Sequence, residues 1–472
     1  MKVRTRYAPS PTGFMHIGNL RTAIFEYLLA KKYNGDFILR IEDTDQERQV
    51  EGAIDFIYKT LELCNIQIDE GPNNDKGYGP YIQSERKDIY KKYAEELVAN
   101  GKAYYCFCTE EELTAMRERA NARKKPFLYD GRCSRLSKEK IDENLAAGIP
   151  YVIRQKMPKT GVTIVDDIIY GKIKIDNSIL DDQILLKSDG FPTYNFANVI
   201  DDHLMEITHV IRGKEYLDQT AKYNLLYDAF GWEKPVYAHV AMVLGEDGNK
   251  LSKRNGDASF MDLYNAGYLP EAIVNYLSLL GWSPTNNQEL FTMDELIENF
   301  DEKRISKSSS QYDVKKLRWF NAQYIKKMPD DQYLNWVKKY FTQDVSTKDA
   351  AWVDKLLLIY KDHLNYGEEI NELTENFFIE NVELSEEAKE FMESDPIIPD
   401  VIAAFSKEVA AISEWNTEAI NKAIENVKNS LGVKGKLLYM PIRIKSSGFM
   451  HGPELADTLY LIGQETVMLR LK

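Results

Sequence analysis

The sequence predicts an α/β fold in which a domain built on a parallel sheet is split by an inserted α+β domain and followed by an all-α region. Three observations predict it. Near the N-terminus the short strand Val3–Tyr7 passes through the turn-forming stretch Ala8–Gly13 into a helix beginning near Ile17, the strand–loop–helix unit from which parallel sheets are made. The apolar run Asp36–Ile41 reads as a second, buried strand ending at Glu42. Beyond about residue 328, runs such as Asp354–Tyr360 and the segment from Glu418 onward lack the alternation of strands and read as helices.

In the first helix Leu20, Ile24, Tyr27 and Leu28 share one face, and His16 stands at its N-terminus, where free amide hydrogens and the positive end of the dipole favour a phosphate. Ligands of parallel α/β sheets bind beyond the carboxyl ends of the strands. His16, Gly18 and Asn19 are therefore a first candidate site, with Gly18, lacking a Cβ, allowing a nucleotide base or ribose close to the backbone. Residues 86–193 read as the insertion: a helix over Lys87–Asn100, a segment bearing Cys106, Cys108 and Cys133, and strands at Tyr151–Arg154 and Ile184–Leu186. Residues with chemistry to offer resume at Tyr194. Glu42 and Arg212 flank the insertion and must converge if both touch one small ligand, which makes the surrounding domain a split one. The divisions expected are 1–85 with 194–240, then 86–193, 241–327 and 328–472.

A second motif, Lys250-Leu251-Ser252-Lys253-Arg254, follows a loop whose Gly245 and Gly248 permit movement. Together with His16 it suits an enzyme whose substrate attacks the α-phosphate of ATP, because transfer at phosphorus needs cations where negative charge builds. Taken singly, the two motifs read as an ordinary loop histidine and a solvated lysine run.

Length and charge set further bounds. With 472 residues the chain holds several domains with cores of their own. It has no apolar run long enough to span a bilayer and no basic-then-apolar leader, so a cytoplasmic, membrane-free protein, and a monomer, is expected. Four cysteines are too few for a disulfide scaffold, and Cys64 reads as a core residue. The 60 basic and 74 acidic residues leave a net charge of -14, which repels a polyanion at long range, so a nucleic acid would require local basic surfaces. Two stretches offer them. Lys303, Arg304, Lys307, Lys315, Lys316, Arg318, Lys326 and Lys327 occur with Trp319, Phe320 and Tyr324, while Lys422, Lys428, Lys434, Lys436, Arg443 and Lys445 lie near the C-terminus. Both also fit solvated helix faces.

The segments Arg6–Gly13, His16–Asn19, Ile41–Asp45, Gln83–Arg86, Leu186–Gly190, Pro192–Tyr194, Asp201–His203 and the Lys250 motif, in this order, resemble the bacterial glutamyl-tRNA synthetases, class I aminoacyl-tRNA synthetases, nearly end to end. One departure is Asn19, where a second histidine often stands; Asn keeps a polar donor and acceptor. The resemblance implies a split Rossmann-type class I catalytic domain, an inserted acceptor-binding domain, a stem-contact region over 241–327 and a helical anticodon-binding region where glutaminyl-tRNA synthetases carry β-barrels. It implies that His16, Lys250 and Lys253 stabilise phosphate charge and that Gly18, Asn19 and Ser252 complete the ATP site, with Mg²⁺ neutralising the leaving pyrophosphate. Glu42 and Ser10 would hold the ammonium of L-glutamate, Asn198 its backbone carboxylate, and Arg6, Tyr194 and Arg212 its side-chain carboxylate, which a planar guanidinium suits. Glutamyl-adenylate would form first, and the terminal ribose hydroxyl of tRNA would then take the glutamyl group, with activation waiting for bound tRNA.

The same resemblance brings a zinc pattern, Cys-x-Cys followed by Tyr-x-x-x-Cys, onto Cys106, Cys108, Tyr129 and Cys133. Ser134 and Asp130 are alternatives to Tyr129 as fourth ligand, and three unliganded cysteines are the alternative to a metal. In related enzymes an arginine of the anticodon region helps reject glutamine tRNA, and His363 falls near its place here, so an enzyme that charges both tRNAs is a second reading. Others are a paralogue that glutamylates a base of aspartate tRNA, which the length of the chain opposes, and a non-catalytic RNA-binding relative, which the intact motifs oppose.

Overall fold

Strands β1 (Arg4–Tyr7) and β2 (Asp36–Leu39) pair in parallel, Arg4 opposite Asp36 and Tyr7 opposite Leu39, in a computed structural model that describes residues 2–13, 15–249, 251 and 259–472. The helix between them, α1 (Ile17–Lys32), is amphipathic in sequence but buried over most of its circumference. It packs on β1, β2 and the helix Met293–Asn299, so Ala23 and Phe25 are buried along with the expected stripe. Past Leu39 the chain stays extended. Ile41 donates to Tyr81 O and accepts from Gln83 N, which carries the segment to Glu42 at the sheet's carboxyl edge.

The chain divides into two units, Met1–Met261 with Val274–Asp313, and Asp262–Ile273 with Val314–Lys472. In the first, β3 (Ala103–Cys106), β4 (Val152–Gln155) and β7 (Ile184–Leu186) form an antiparallel sheet in the order β3-β4-β7. The hairpin of β5 (Val162–Asp167) and β6 (Gly171–Asp176) belongs elsewhere. It joins β8 (His209–Gly213) and β9 (Val236–Val240) in the order β6-β5-β9-β8, with β5, β8 and β9 parallel. Thr208 N donates to Arg4 O at 3.0 Å, which sets the start of β8 beside β1. The helices Tyr194–Leu204 and Thr220–Phe230 bury Phe196, Ile200, Tyr223 and Leu226 in a common core.

No strand occurs among the described residues of the second unit, which is all-α as its sequence predicts. Some of its helices start on side-chain caps, with Asp349 accepting from Trp352 N and Asn416 from Ala419 N, and Thr417–Leu431 ends at Gly432 in the left-handed region (φ 69°). Leu356, Val401, Phe405, Ile424, Leu438 and Leu459 are buried in one core. No helix among the described residues is long and apolar enough to cross a membrane.

Candidate active site

A cleft of about 310 Å³ opens at the carboxyl ends of β1, β8 and β9. Arg6, Ser10, His16, Gly18, Asn19, Glu42, Tyr194 and Arg212 all line it, so the residues on either side of the insertion do converge. Asn198 stands one layer behind and donates to Glu42 Oε1 at 3.2 Å. Lys250, Ser252 and Lys253 lie outside the described residues, whereas Leu251 borders the cleft.

His16 caps α1 with an extended backbone, and its Nδ1 accepts from Gly18 N at 3.1 Å. In a neutral ring this puts the proton on Nε2. A Cβ on Gly18 would lie 2.9 Å from His16 Cε1, so a side chain there would displace the imidazole folded over the helix start.

Behind the cleft lies a network of buried charges. Arg40, fully buried, donates to Glu42 Oε1 at 2.9 Å and to Asp202 Oδ1 at 2.8 Å. Arg6 donates to Asp202 Oδ1 at 3.0 Å and to Glu26 Oε1 at 3.3 Å, which leaves Glu26 Oε2 without a partner among the described residues. Burial pushes the Glu42 and Glu26 carboxyls above their ordinary range against the pull of Arg40 and Arg6. For Asp202 burial pushes upward too, but the two arginines prevail and hold it below. The next carboxylate, Asp201, takes Gln83 Nε2 at 2.9 Å, Arg86 Nε at 2.7 Å and the Tyr90 hydroxyl at 2.8 Å, while Asp43 Oδ1 accepts from Ser84 N at 2.7 Å. Three separate sequence motifs thus meet to hold the cleft's floor. Sequence reasoning missed Glu26 and Arg40, although each is a lone charge in an apolar run, Ile24-Phe25-Glu26-Tyr27-Leu28 and Ile38-Leu39-Arg40-Ile41, and such charges are buried only when paired.

On the opposite wall Arg212 Nη2 donates to Thr220 Oγ1 at 2.8 Å and Nε to His239 Nε2 at 3.1 Å, with the guanidinium 4.3 Å from the centre of the Tyr223 ring. Burial pushes the Tyr194 phenol well above its usual range and that of Tyr223 up to about 12, so both remain hydrogen-bond donors near neutral pH. One wall therefore offers a cation, Arg212, and the Tyr194 phenol, and the floor a carboxylate, beside a helix N-terminus suited to phosphate.

In the insertion Cys106, Cys108 and Cys133 bring their sulfurs within 4.8 Å of one another. The Tyr129 hydroxyl lies 3.3 Å from Cys106 Sγ and 3.2 Å from Cys108 Sγ. The alternative ligands are engaged elsewhere: Ser134 donates to Gly131 O at 2.6 Å and Asp130 accepts from Arg132 at 2.9 Å. Among the basic stretches, Arg304 is spent on Ser283 O and Pro284 O, and Phe320 is buried in the core. Trp319 is 39% exposed with Lys316 Nζ 4.3 Å from its ring centre, a stacking face beside a charge. His363 is exposed.

A split parallel sheet with its cleft at the strand ends, a histidine at the helix N-terminus above it and a helical region downstream agree with a class I aminoacyl-tRNA synthetase, the class to which the family match assigns the chain. Residues 2–319 match the family described as tRNA synthetases class I (E and Q), catalytic domain, and residues 332–472 match the anticodon binding domain. The glutamate–tRNA ligase of Clostridium novyi (strain NT) is 49% identical over 469 residues, spanning 97% of this chain and 95% of that one. That of Clostridium botulinum (strain Eklund 17B / Type B) is 48% identical over 480 residues, spanning 100% and 98%. Two solved structures, a glutamate tRNA ligase from Elizabethkingia meningosepticum CCUG26117 in complex with its amino acid and the glutamate–tRNA synthetase of Elizabethkingia anophelis, superpose with TM-scores of 0.87 and 0.88. Each is 36% identical and covers 100% of this chain, which spans 98% and 99% of theirs. The chain belongs to the glutamate–tRNA ligase family.

Proposed function

We propose that this cleft activates L-glutamate with ATP and passes it, through glutamyl-adenylate, to the 3′-terminal ribose of tRNA for protein synthesis. The observation that carries the assignment of residues is the convergence of Glu42, Arg6, Tyr194 and Arg212 in one cleft below His16. Glu42 and Ser10 hold the substrate's ammonium, and the raised affinity of buried Glu42 for a proton marks a carboxylate that an arriving cation stabilises. Asn198 acts toward the backbone carboxylate from behind the cleft, bonded to Glu42, while Tyr194 and Arg212 meet the side-chain carboxylate and Arg6, itself bonded to Asp202 and Glu26, lends its charge from the cleft floor. The α-carboxylate attacks the α-phosphorus, and His16, Lys250 and Lys253 stabilise the charge that develops there, with Gly18, Asn19 and Ser252 completing the ATP site. No protein nucleophile is needed. Mg²⁺, carried in with ATP, supplies charge neutralisation at the departing pyrophosphate.

Residues 1–85 with 194–240 form the catalytic domain in this reading; 86–193 bind the acceptor end, 241–327 contact the stem and 328–472 read the anticodon, in a monomeric cytoplasmic enzyme. The donor set of Cys106, Cys108, Cys133 and Tyr129 fits a structural Zn²⁺, since three clustered thiols and one oxygen make four ligands. Metal analysis of protein purified without chelator is expected to give about one zinc per chain. A folded, metal-free protein would remove the site.

The deciding experiment is charging of radiolabelled glutamate onto separately purified glutamate and glutamine tRNAs with ATP. Charging of glutamate tRNA is the expected result, and the level reached on glutamine tRNA measures how far the region around His363 discriminates. Charging of neither, with no pyrophosphate released, would overturn the reading.

A further inference from the structure

Beneath Arg212 lies a buried pair that touches no part of the cleft. His239, on β9, is fully buried, and its Nδ1 lies 2.7 Å from Asp167 Oδ2. Asp167 ends β5 and reaches this position because β5 pairs with β9 at Asp167 and Tyr237. Three backbone amides, of His239, Ile169 and Tyr170, also donate to its carboxylate at 3.0, 2.9 and 2.8 Å. A carboxylate so surrounded is an acceptor, which assigns the ring proton to Nδ1 and leaves Nε2 with its lone pair. Arg212 Nε and Thr220 Oγ1 both approach that nitrogen at 3.1 Å. Burial, reinforced by the charge of Arg212, keeps the ring's pKa below its usual range despite Asp167, as an acceptor requires.

The consequence falls on the guanidinium. Nε and Nη2 lie on one edge, and that edge is taken by His239 and Thr220 while Tyr223 backs the plane. Among the described residues no protein group bonds Nη1, and Arg212 lines the cleft. We infer that His239, fixed by Asp167, is a positioning residue: by occupying the inner edge of Arg212 it turns the Nη1 end toward the cleft and so sets the enzyme's affinity for the substrate's side-chain carboxylate. This rests on the role proposed for Arg212 above.

The test compares His239→Asn with His239→Gln in aminoacylation by the full chain, reading KM for glutamate, KM for ATP, kcat and thermal midpoint. Asn keeps a donor toward Asp167 but loses the acceptor for Arg212, whereas the longer Gln can place its amide oxygen near the site of Nε2. His239→Asn is expected to raise the glutamate KM about tenfold, the scale of one lost charge-assisted bond, with ATP KM and kcat within about twofold, and His239→Gln to recover most of it. In the Arg212→Ala background His239→Asn is expected to add nothing. Additive losses, or equal rises in both KM values, would show a merely structural pair and overturn the inference. If Arg212→Ala itself leaves the glutamate KM unchanged, the reading of Arg212 fails first; if Arg212→Ala acts and a folded His239→Asn is silent, only the positioning role fails. Should His239→Asn not fold, Asp167→Asn in the same cycle decides: coupling to Arg212→Ala upholds the relay and additivity overturns it.

Discussion

Arg212→Ala is expected to raise KM for glutamate roughly ten- to 150-fold while leaving KM for ATP within about twofold. The size follows from the loss of a charge-assisted hydrogen bond, about 1.5–3 kcal/mol. Of the other arginines lining the cleft, Arg6 is spent on Asp202 and Glu26, and Arg21 donates to Leu280 O and Ala241 O. Steady-state aminoacylation with glutamate and ATP varied in turn, in the presence of tRNA, makes the measurement. Equal losses for both substrates would mean that the variant has lost its fold rather than a contact.

Asp202→Ala is expected to destabilise the first unit by about 3–5 kcal/mol, the cost of leaving Arg6 and Arg40 buried without their shared counter-ion. Urea denaturation of the variant beside the wild type reads this directly. The effect carries a pH signature. The folded-state pKa of Asp202 is depressed by its two arginines, so its contribution is fully present above the ordinary carboxylate pKa of about 3.9 and is lost as pH falls through the lower folded value. The gap between wild type and variant should therefore be constant from about pH 5 to 8 and close only in strong acid. Glu26 has the opposite sign. Its raised folded pKa contributes stability that is full below its unfolded value and lost as pH rises through the folded one, so it does not mask the acid limb of Asp202. A gap that widens toward low pH would mean that Asp202 is not the arginines' counter-ion.

The strand–turn–helix at the N-terminus, the all-α second unit and the meeting of Glu42 with Arg212 were legible because each rests on local periodicity or on a single ligand's reach. The β5–β6 hairpin was not. In β5 the inward positions are Thr163, Val165 and Asp167, while Val162 and Ile164 face solvent at 55% and 51% exposure, so the hydrophobic alternation that announces a strand is inverted. The polar residues point inward to meet partners that alternation does not announce: Asp167 to His239, and Thr163 to Asn177 at the end of the hairpin. Buried charge pairs hide for the same reason. Arg6 finds Asp202 across 196 positions, and no spacing rule reaches that far. Gly18 was legible as a place of close approach, but the His16 ring beside it was not, because a flat ring lying over a helix start leaves no mark on the sequence beyond the glycine itself.

The placement of β5 bears on what can be exchanged between related enzymes. A segment that enters and leaves a domain at neighbouring points is ordinarily a cassette, replaceable without disturbing its host. Here the cassette's own strand runs alongside β9 and delivers Asp167 beneath the host's arginine. A graft that swaps all of 86–193 therefore also replaces part of the host's sheet, whereas one confined to the β3–β4 side and ending before Val162 leaves that sheet intact. The insertion can diversify freely only up to that seam.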